Sequence, residues 1–304
     1  MKEEIPLVSV LMTAYNREKY ITEAIESVLA SSYPNFELII CDDCSSDDTV
    51  AVSRKYEAAD DRVKVYINDQ NLGDYKNRNH AATFAKGKYI KYLDSDDMIY
   101  PWGLEAMVYC MEKFPEAGFG LMSYGLPRDA VYPLLVQPAQ AFKYFYLKFA
   151  LIAMGPTGAI FRKEAFDVVN GFSGKPYVGD SEMWIKMGSK YPLVRMPLDL
   201  VWWREHEGQQ INEGRKNDYY LENQYSIYVD GLKDAGCPLS EVEKKIALNN
   251  LENVRIRNII SGYLLKFKIK RGLFLLKQSN FSMLDLWKAF RKNSYPEQTN
   301  FLKW

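Results

Sequence analysis

Three carboxylates, Asp94, Asp96 and Asp97, follow directly on a stretch rich in β-branched and aromatic types at residues 89–93. Those types predict a buried strand with the acids at its carboxyl end. In open α/β sheets the crevice outside the strand ends is where ligands bind. Acids this close cannot all ionise without a counter-charge, because each raises the pKa of the others. A divalent cation is the simplest remedy. Oxygen ligands of this kind suit Mg²⁺ or Mn²⁺, commonly held by one or two carboxylates while a substrate's phosphates complete the shell. Taken alone, the motif also reads as an acidic turn capping a helix that starts near Pro101, so the rest of the chain has to decide.

The elements that would position these acids are legible upstream. Residues 7–13 form a near-continuous apolar run, as a strand buried on both faces of a parallel sheet requires. After it, Tyr20, Ala24 and Val28 with Ile21, Ile25 and Leu29 repeat at helical spacing. Residues 36–41 and 63–67 read as two further strands. The first is closed by the acidic and serine-rich turn 42–49, where Ser45 or Ser46 is expected to cap the next helix. The second leads through Asn71, Leu72 and Gly73 into a helix reaching about Ala85. Strands alternating with helices at this rhythm predict an α/β fold with a mostly parallel, doubly wound sheet flanked by helices. After Pro101 a helix, a strand within 118–123, an aromatic-rich helix at 139–150, a short strand at 159–161 and, after the acidic stretch 179–182, a helix through Trp184 to Lys190 are expected. Beyond residue 209 the chain reads as helical, which divides it into 1–214 and a helical extension, 215–304.

The 304 residues carry no net charge, but from Arg215 onward there are 16 Lys and Arg against 9 Asp and Glu. An acidic, catalytic-looking part is thus joined to a basic one. No amino-terminal signal and no apolar run of the roughly 18 residues a membrane span needs are read in the chain. The four cysteines, Cys41, Cys44, Cys110 and Cys237, have no framework spacing, and one isolated Cys-x-x-Cys is a weak basis for zinc. They are expected to be reduced thiols in a cytoplasmic protein.

Three stretches then stand together: Val-Ser-Val-Leu-Met-Thr-Ala-Tyr-Asn-Arg at 8–17, Ile-Ile-Cys-Asp-Asp-Cys-Ser-Ser-Asp-Asp-Thr at 39–49, and Leu-Asp-Ser-Asp-Asp at 93–97. In wording, order and spacing they resemble the family-2 glycosyltransferases of GT-A fold over roughly residues 7–210. The resemblance implies an inverting, metal-dependent hexosyltransferase that uses a nucleotide-diphospho-sugar. It implies that Asp43 accepts a hydrogen bond from a uracil ring N–H, that Tyr15 stacks on the base and that Thr13 bonds to it. Arg17 and Ser95 belong to the same donor-binding motifs, and Arg78 matches a basic position that approaches the diphosphate. Asp94 falls on the ribose side, Asp96 on the metal, with Asp97 supporting it. The family motif usually has Gly where Cys44 stands, so a positive φ there would strain the turn.

An inverting transferase needs a general base and a cation for the leaving group. Asp180, in Gly-Asp-Ser-Glu-Met-Trp at 179–184, matches the family's base, with Glu182 as the fallback. Arg204 and His206 match an Arg-x-His loop that meets diphosphate and metal. Trp184, Trp202 and Trp203 are candidate sugar-stacking surfaces. The expected partners are a UDP-sugar donor and a glycan or lipid-linked acceptor in cell-surface polysaccharide synthesis; nucleic acid is not among them. The rival readings are a sugar-phosphate nucleotidyltransferase, whose glycine-rich opening is missing after the first strand, and a non-catalytic nucleotide-sugar-binding protein. Finally, residues 255–277 carry seven cations and no acid, with Ile256, Ile260, Tyr263, Leu264 and Phe267 at helical spacing. Such a helix either lies on an anionic membrane at its inner face or packs on the catalytic part or on a second subunit of a homo-oligomer; both readings stand at this stage.

Overall fold

The computed structural model describes residues 5–123, 131–148, 154–207, 209 and 219–278. The division expected at residue 214 lies outside them, as do the last two residues of the helix expected at 139–150. Four strands appear where the apolar runs predict them: β1 (Val8–Ala14), β2 (Phe36–Asp42), β3 (Val63–Ile67) and β4 (Tyr89–Tyr92). The acid turn leads into a two-residue strand, β5 (Met98–Ile99), and β6 (Phe119–Met122), β7 (Leu134–Val136), β8 (Ala159–Arg162), β9 (Leu193–Met196) and β10 (Val201–Trp202) follow.

The main sheet has eight strands in the order β3-β2-β1-β4-β8-β6-β9-β7. Strands β1 to β4 pair in parallel, with Leu11 of β1 opposite both Ile39 of β2 and Tyr92 of β4. The chain leaves β1 on one side for β2 and β3 and returns on the other side as β4, so the order reverses between β1 and β4. The carboxyl ends of those two strands therefore bound the crevice in which a doubly wound sheet binds its ligand. Beyond β4 the sheet is mixed: β8 runs antiparallel to both β4 and β6, β9 parallel to β6, and β7 antiparallel to β9.

Helix α1 (Ile21–Leu29) buries Ile21, Ala24, Ile25 and Val28, one face at helical spacing. Helix α2 (Thr49–Ala59) starts after Asp48 without a side-chain cap; Ser45 turns back to Asp42 instead. Helices α3 (Asp74–Thr83), α4 (Gly103–Glu112), α5 (Pro138–Lys148), α6 (Lys163–Val168) and α7 (Gly179–Lys190) complete the part that covers the sheet. On β1, Val10, Leu11 and Met12 are wholly buried, each worth about 1.5–3 kcal/mol of transfer from water.

Three helices follow: α8 (Tyr219–Lys233), α9 (Glu241–Ile259) and α10 (Ile269–Gln278). Helix α8 packs on α7, and α9 packs on α5 and α8. The main core runs on without a break through Ile227, Leu232 and Leu251. Residues 255–277 are not one helix: α9 passes through a π-helical turn, Ile260–Leu264, and the chain reverses before α10. Of the stripe expected to face lipid or another domain, Ile256, Ile260 and Tyr263 pack with Ile259 against Leu275 and Leu276, with Leu264 against them, whereas Phe267 is exposed. Arg255, one of the seven cations, is buried and paired with Glu222.

Gly87, just ahead of β4, shows how tightly the acid-bearing strand is seated. A β-carbon there would lie 2.6 Å from the Ser9 nitrogen and 2.7 Å from the Leu7 oxygen, both backbone atoms that cannot rotate away. Gly87→Ala is expected to lower the unfolding free energy by about 1–3 kcal/mol, measured by urea denaturation.

Candidate active site

The acid turn alternates in exposure. Asp94 and Asp96 are open to the crevice, while Ser95 and Asp97 are buried. Each acid is met by a cation or donor from a different part of the chain. Asp94 Oδ1 accepts from Arg78 Nη2 at 2.7 Å, and Arg78 Nε donates to Asp74 Oδ1 at 2.8 Å. Asp96 Oδ2 accepts from Arg17 Nε at 3.0 Å and lies 3.0 Å from His206 Nε2. Asp97 Oδ1 accepts from the Arg204 backbone nitrogen at 3.1 Å, and Arg204 Nε donates to the Asp96 carbonyl at 2.9 Å.

The small ribbon of β5 and β10 explains how Arg204 and His206 reach the acids. Val201 pairs with Ile99 and Trp202 with Met98, so the chain that follows β10 folds back over the acid turn. The Arg204 guanidinium lies over the rings of Tyr20 and Trp202 and pairs with Glu23. Tyr20, Trp202, Trp203, Arg204, Glu205 and His206 line a cavity of about 550 Å³. Trp202 and Trp203 are each 39 % exposed there, as a stacking surface requires. Trp184 is not such a surface: it is buried, stacked on Phe119 and Phe161, with its indole donating to the Met154 carbonyl.

Ligand oxygens of Asp94, Asp96 and Asp97 lie within 4.8 Å of one another. Burial, with Asp94 and Asp96 alongside, pushes the Asp97 carboxyl well above the usual carboxylate range. An all-oxygen set carrying excess negative charge suits a hard divalent cation, so the residues present fit the metal that the motif implies.

At the amino terminus of α7, Gly179 leaves no room for a side chain, because Tyr75 lies where its β-carbon would be. The adjacent Asp180 is pushed up to about 6, chiefly by burial, with Asp74 adding to the rise and Arg78 opposing it. Tyr228 of α8 stands beside Asp180 and Ser181. Asp180 is thereby tied through Asp74 and Arg78 to Asp94. Glu182 is drawn away: its carboxylate pairs with Lys175 at 2.8 Å.

On the nucleotide side, Thr13 lies near the end of β1 and Tyr15, 48 % exposed, just beyond it. Asp43 is buried and accepts from Asn68 Nδ2, Leu72 N and Gly73 N at 2.7, 2.8 and 2.9 Å, which pins the 68–73 loop. A carboxylate has about four acceptor positions, so one is left for a ring N–H. Cys44 has φ 67°, the left-handed conformation that the usual glycine would adopt without strain, and its side chain is exposed.

Two expectations change, and two residues were not anticipated. Arg78 is buried between Asp74 and Asp94, which places it as a positioning group for the acids and not as an open diphosphate ligand. Ser95 is buried and does not join the open face. Asp74 was missed, although its spacing four residues before Arg78 is the signal for a helical ion pair. Thr157, whose hydroxyl accepts from the Asp94 nitrogen at 3.2 Å, carried no signal in the sequence.

A parallel sheet reversing between β1 and β4, with an acid cluster at the strand ends, is the architecture of the GT-A glycosyltransferases. The sequence profile of glycosyl transferase family 2 matches residues 9–169, and the chain belongs to that family. It is similar to Staphylococcus aureus TarS 1–349 in complex with UDP-GlcNAc, with a TM-score of 0.64 and 22 % identity over 81 % of this chain and 71 % of that one. The mannosyltransferase PcManGT of Pyrobaculum calidifontis, in complex with GDP-Man and Mn²⁺, aligns with a TM-score of 0.62 and 15 % identity over 96 % of this chain and 88 % of the other. In sequence the chain is 41 % identical over 107 residues to the Escherichia coli UDP-Glc:alpha-D-GlcNAc-diphosphoundecaprenol beta-1,3-glucosyltransferase WfgD, covering 35 % of this chain and 42 % of that protein. The chain spans about half the length of the curated relatives it matches.

Removing Arg78 would leave Asp74 and Asp94 facing each other without a counter-charge. Arg78→Ala is expected to cost about 2–4 kcal/mol of stability, and Arg78→Lys to recover only part, since an ammonium cannot reproduce the two-sided fork. Urea denaturation of the three proteins measures both differences.

Proposed function

We propose that the protein is an inverting glycosyltransferase that moves one sugar from a nucleotide-diphospho-sugar, a UDP-sugar, to a hydroxyl of a glycan or lipid-linked acceptor in cell-surface polysaccharide synthesis, on the cytoplasmic side. The observation that carries the reading is the pairing of a partly buried carboxyl pushed up to about 6, Asp180, with an acid cluster on the facing strand end. The names of the similar proteins support it, since TarS is described with UDP-GlcNAc and WfgD as using UDP-Glc.

In this reading Tyr15 stacks on the base, Asp43 accepts its ring N–H with the remaining acceptor position, and Asp94 holds the ribose. Asp96, with Asp97 and His206, would hold Mn²⁺ or Mg²⁺, which when bound neutralises the charge developing on the leaving diphosphate. Asp180 takes the proton of the acceptor hydroxyl as that oxygen attacks the anomeric carbon from the face opposite the diphosphate. Arg78 and Asp74 keep Asp94 and Asp180 in register. Trp202 and Trp203 offer flat faces to a sugar ring.

Donor binding is expected to need both the acid cluster and the cation. By calorimetry, UDP should bind the protein with Mn²⁺ present, lose most of its affinity with a chelator or with Asp96→Ala, and outcompete GDP. Equal UDP affinity with and without chelator would overturn the metal assignment.

The base is active as a carboxylate, so activity is retained above its pKa and lost as pH falls through it. Turnover should be level above about pH 6 and drop roughly tenfold per pH unit below it. Asp180→Asn keeps the shape but not the basicity, and should reduce turnover by at least ~10²-fold with little change in UDP affinity. A mutant near normal turnover would move the role away from Asp180.

A further inference from the structure

The hairpin of α9 and α10 buries one apolar stripe and presents another. Where the chain reverses, Leu265, Phe267 and Ile269 are 68, 89 and 52 % exposed, and Leu273 and Phe274 on α10 are each 50 % exposed. Exposed Lys266, Lys268 and Lys270 alternate with the first three, and Lys277 follows on α10. No acid occurs anywhere from Asn253 to Gln278.

This tip is built, not loose. The Lys266 and Lys268 nitrogens donate to the Tyr263 carbonyl at 3.2 and 2.8 Å, and the Phe267 nitrogen donates to the Leu264 carbonyl at 3.1 Å. Gly272 lets α10 close on Leu264, whose side chain would lie 2.5 Å from a β-carbon there. Phe267 itself sits at φ 61°, a left-handed conformation costly for an aromatic residue. The ring so placed gains almost no contact within the chain. Holding the largest apolar side chain of the turn outward in a strained conformation has a return only if something outside receives it.

We propose that this tip docks the protein on an anionic lipid bilayer, with Leu265, Phe267 and Ile269 entering the interface and Lys266, Lys268 and Lys270 on the headgroups. Charge selects this occupant. A second copy meeting the tip face to face would set lysine against lysine with no acid to neutralise them. The 26 residues after Gln278 contain Lys288, Arg291, Lys292 and Lys303 against Asp285 and Glu297 alone, and so bring no compensating negative charge. Apolar side chains interleaved with cations match the apolar-under-anionic layering of a membrane surface. The docking does not depend on the transferase reading, because it is read by binding alone. If that reading also holds, the tip keeps the enzyme beside a lipid-linked acceptor.

The test is flotation of the full chain with vesicles of phosphatidylcholine alone or with 30 mol % phosphatidylglycerol, at low and high salt. Binding is expected only to the anionic vesicles and should weaken as salt rises. The triple charge reversal Lys266→Glu, Lys268→Glu, Lys270→Glu should reduce partitioning at least about 100-fold, on the basis of roughly fivefold for each cation lost. Phe267→Ser should reduce it with the cations intact; both variants change exposed positions, and circular dichroism checks their fold. Absence of anionic-vesicle binding at low salt, equal binding to neutral vesicles, or binding unaffected by the triple reversal each overturns the proposal. So does a dimer in sedimentation that Phe267→Ser dissociates.

Discussion

The constraint around which the structure is arranged is the repulsion among Asp94, Asp96 and Asp97. Across a span of 4.8 Å, two unscreened carboxylates repel by on the order of 3 kcal/mol at an effective dielectric of 20. The fold meets this by gathering guanidinium groups from elements far apart in sequence: Arg17 after β1, Arg78 on α3 and Arg204 after β10, with the His206 ring beside Asp96. The loops at the mouth of the crevice are therefore positioned by the acids as much as the acids are positioned by β4. Any group of opposite charge entering the crevice, cation or guanidinium, acts on several loops together.

The change from a parallel to a mixed sheet serves the same centre. Because β8 runs antiparallel beside β4, the short helical turn Pro156–Gly158 that precedes it abuts the acid turn from behind. Lys91, wholly buried on β4, donates to the carbonyls of Tyr92 and Thr157 and so stitches the two segments together. Burial brings its amine down to about 7, while Asp94 and Asp97 pull it the other way. The rear of the acid turn is thus held by a buried donor on which desolvation and the neighbouring acids act in opposite senses.

What was legible in the sequence follows from how each element is stabilised. Strands β1 to β4 are short stretches rich in apolar, β-branched and aromatic residues, and α1 is a one-faced helix, so local pattern and tertiary role agree. Strands β5, β7 and β10, of two or three residues, owe their existence to partners such as Met98 for Trp202, and a local window cannot see those. The acid turn was legible as a cluster because three acids at a strand end carry their own signal. Arg78 was not, since its burial depends on Asp94, sixteen positions away, and only its pairing with Asp74 is local. In the basic hairpin the periodicity found the correct apolar residues but could not tell which side faces in, because Phe267 reverses the chain in a conformation that composition does not reveal.

Of the carboxy-terminal helices, α8 packs against the element that carries Asp180. Helix α8 packs so closely on α7 that a β-carbon at Gly231 would lie 2.7 Å from both the Ile185 side chain and the Tyr146 hydroxyl. Tyr146 donates to the Tyr228 carbonyl at 3.0 Å, and Gln224 reaches the Ser181 hydroxyl at 3.4 Å. These contacts set Tyr228 beside Asp180, on the side away from Tyr75 and α3 in sequence but against the same carboxyl. Burial is the main cause that raises the Asp180 carboxyl, and Tyr228 of α8 stands against it; both lie beyond residues 9–169, which the family profile matches. The two halves of the site thus differ electrostatically: the acid turn draws positive charge to it, while the Asp180 carboxyl is shielded from water. The sheet and its loops account for the first, and α8 shares with α3 in the second.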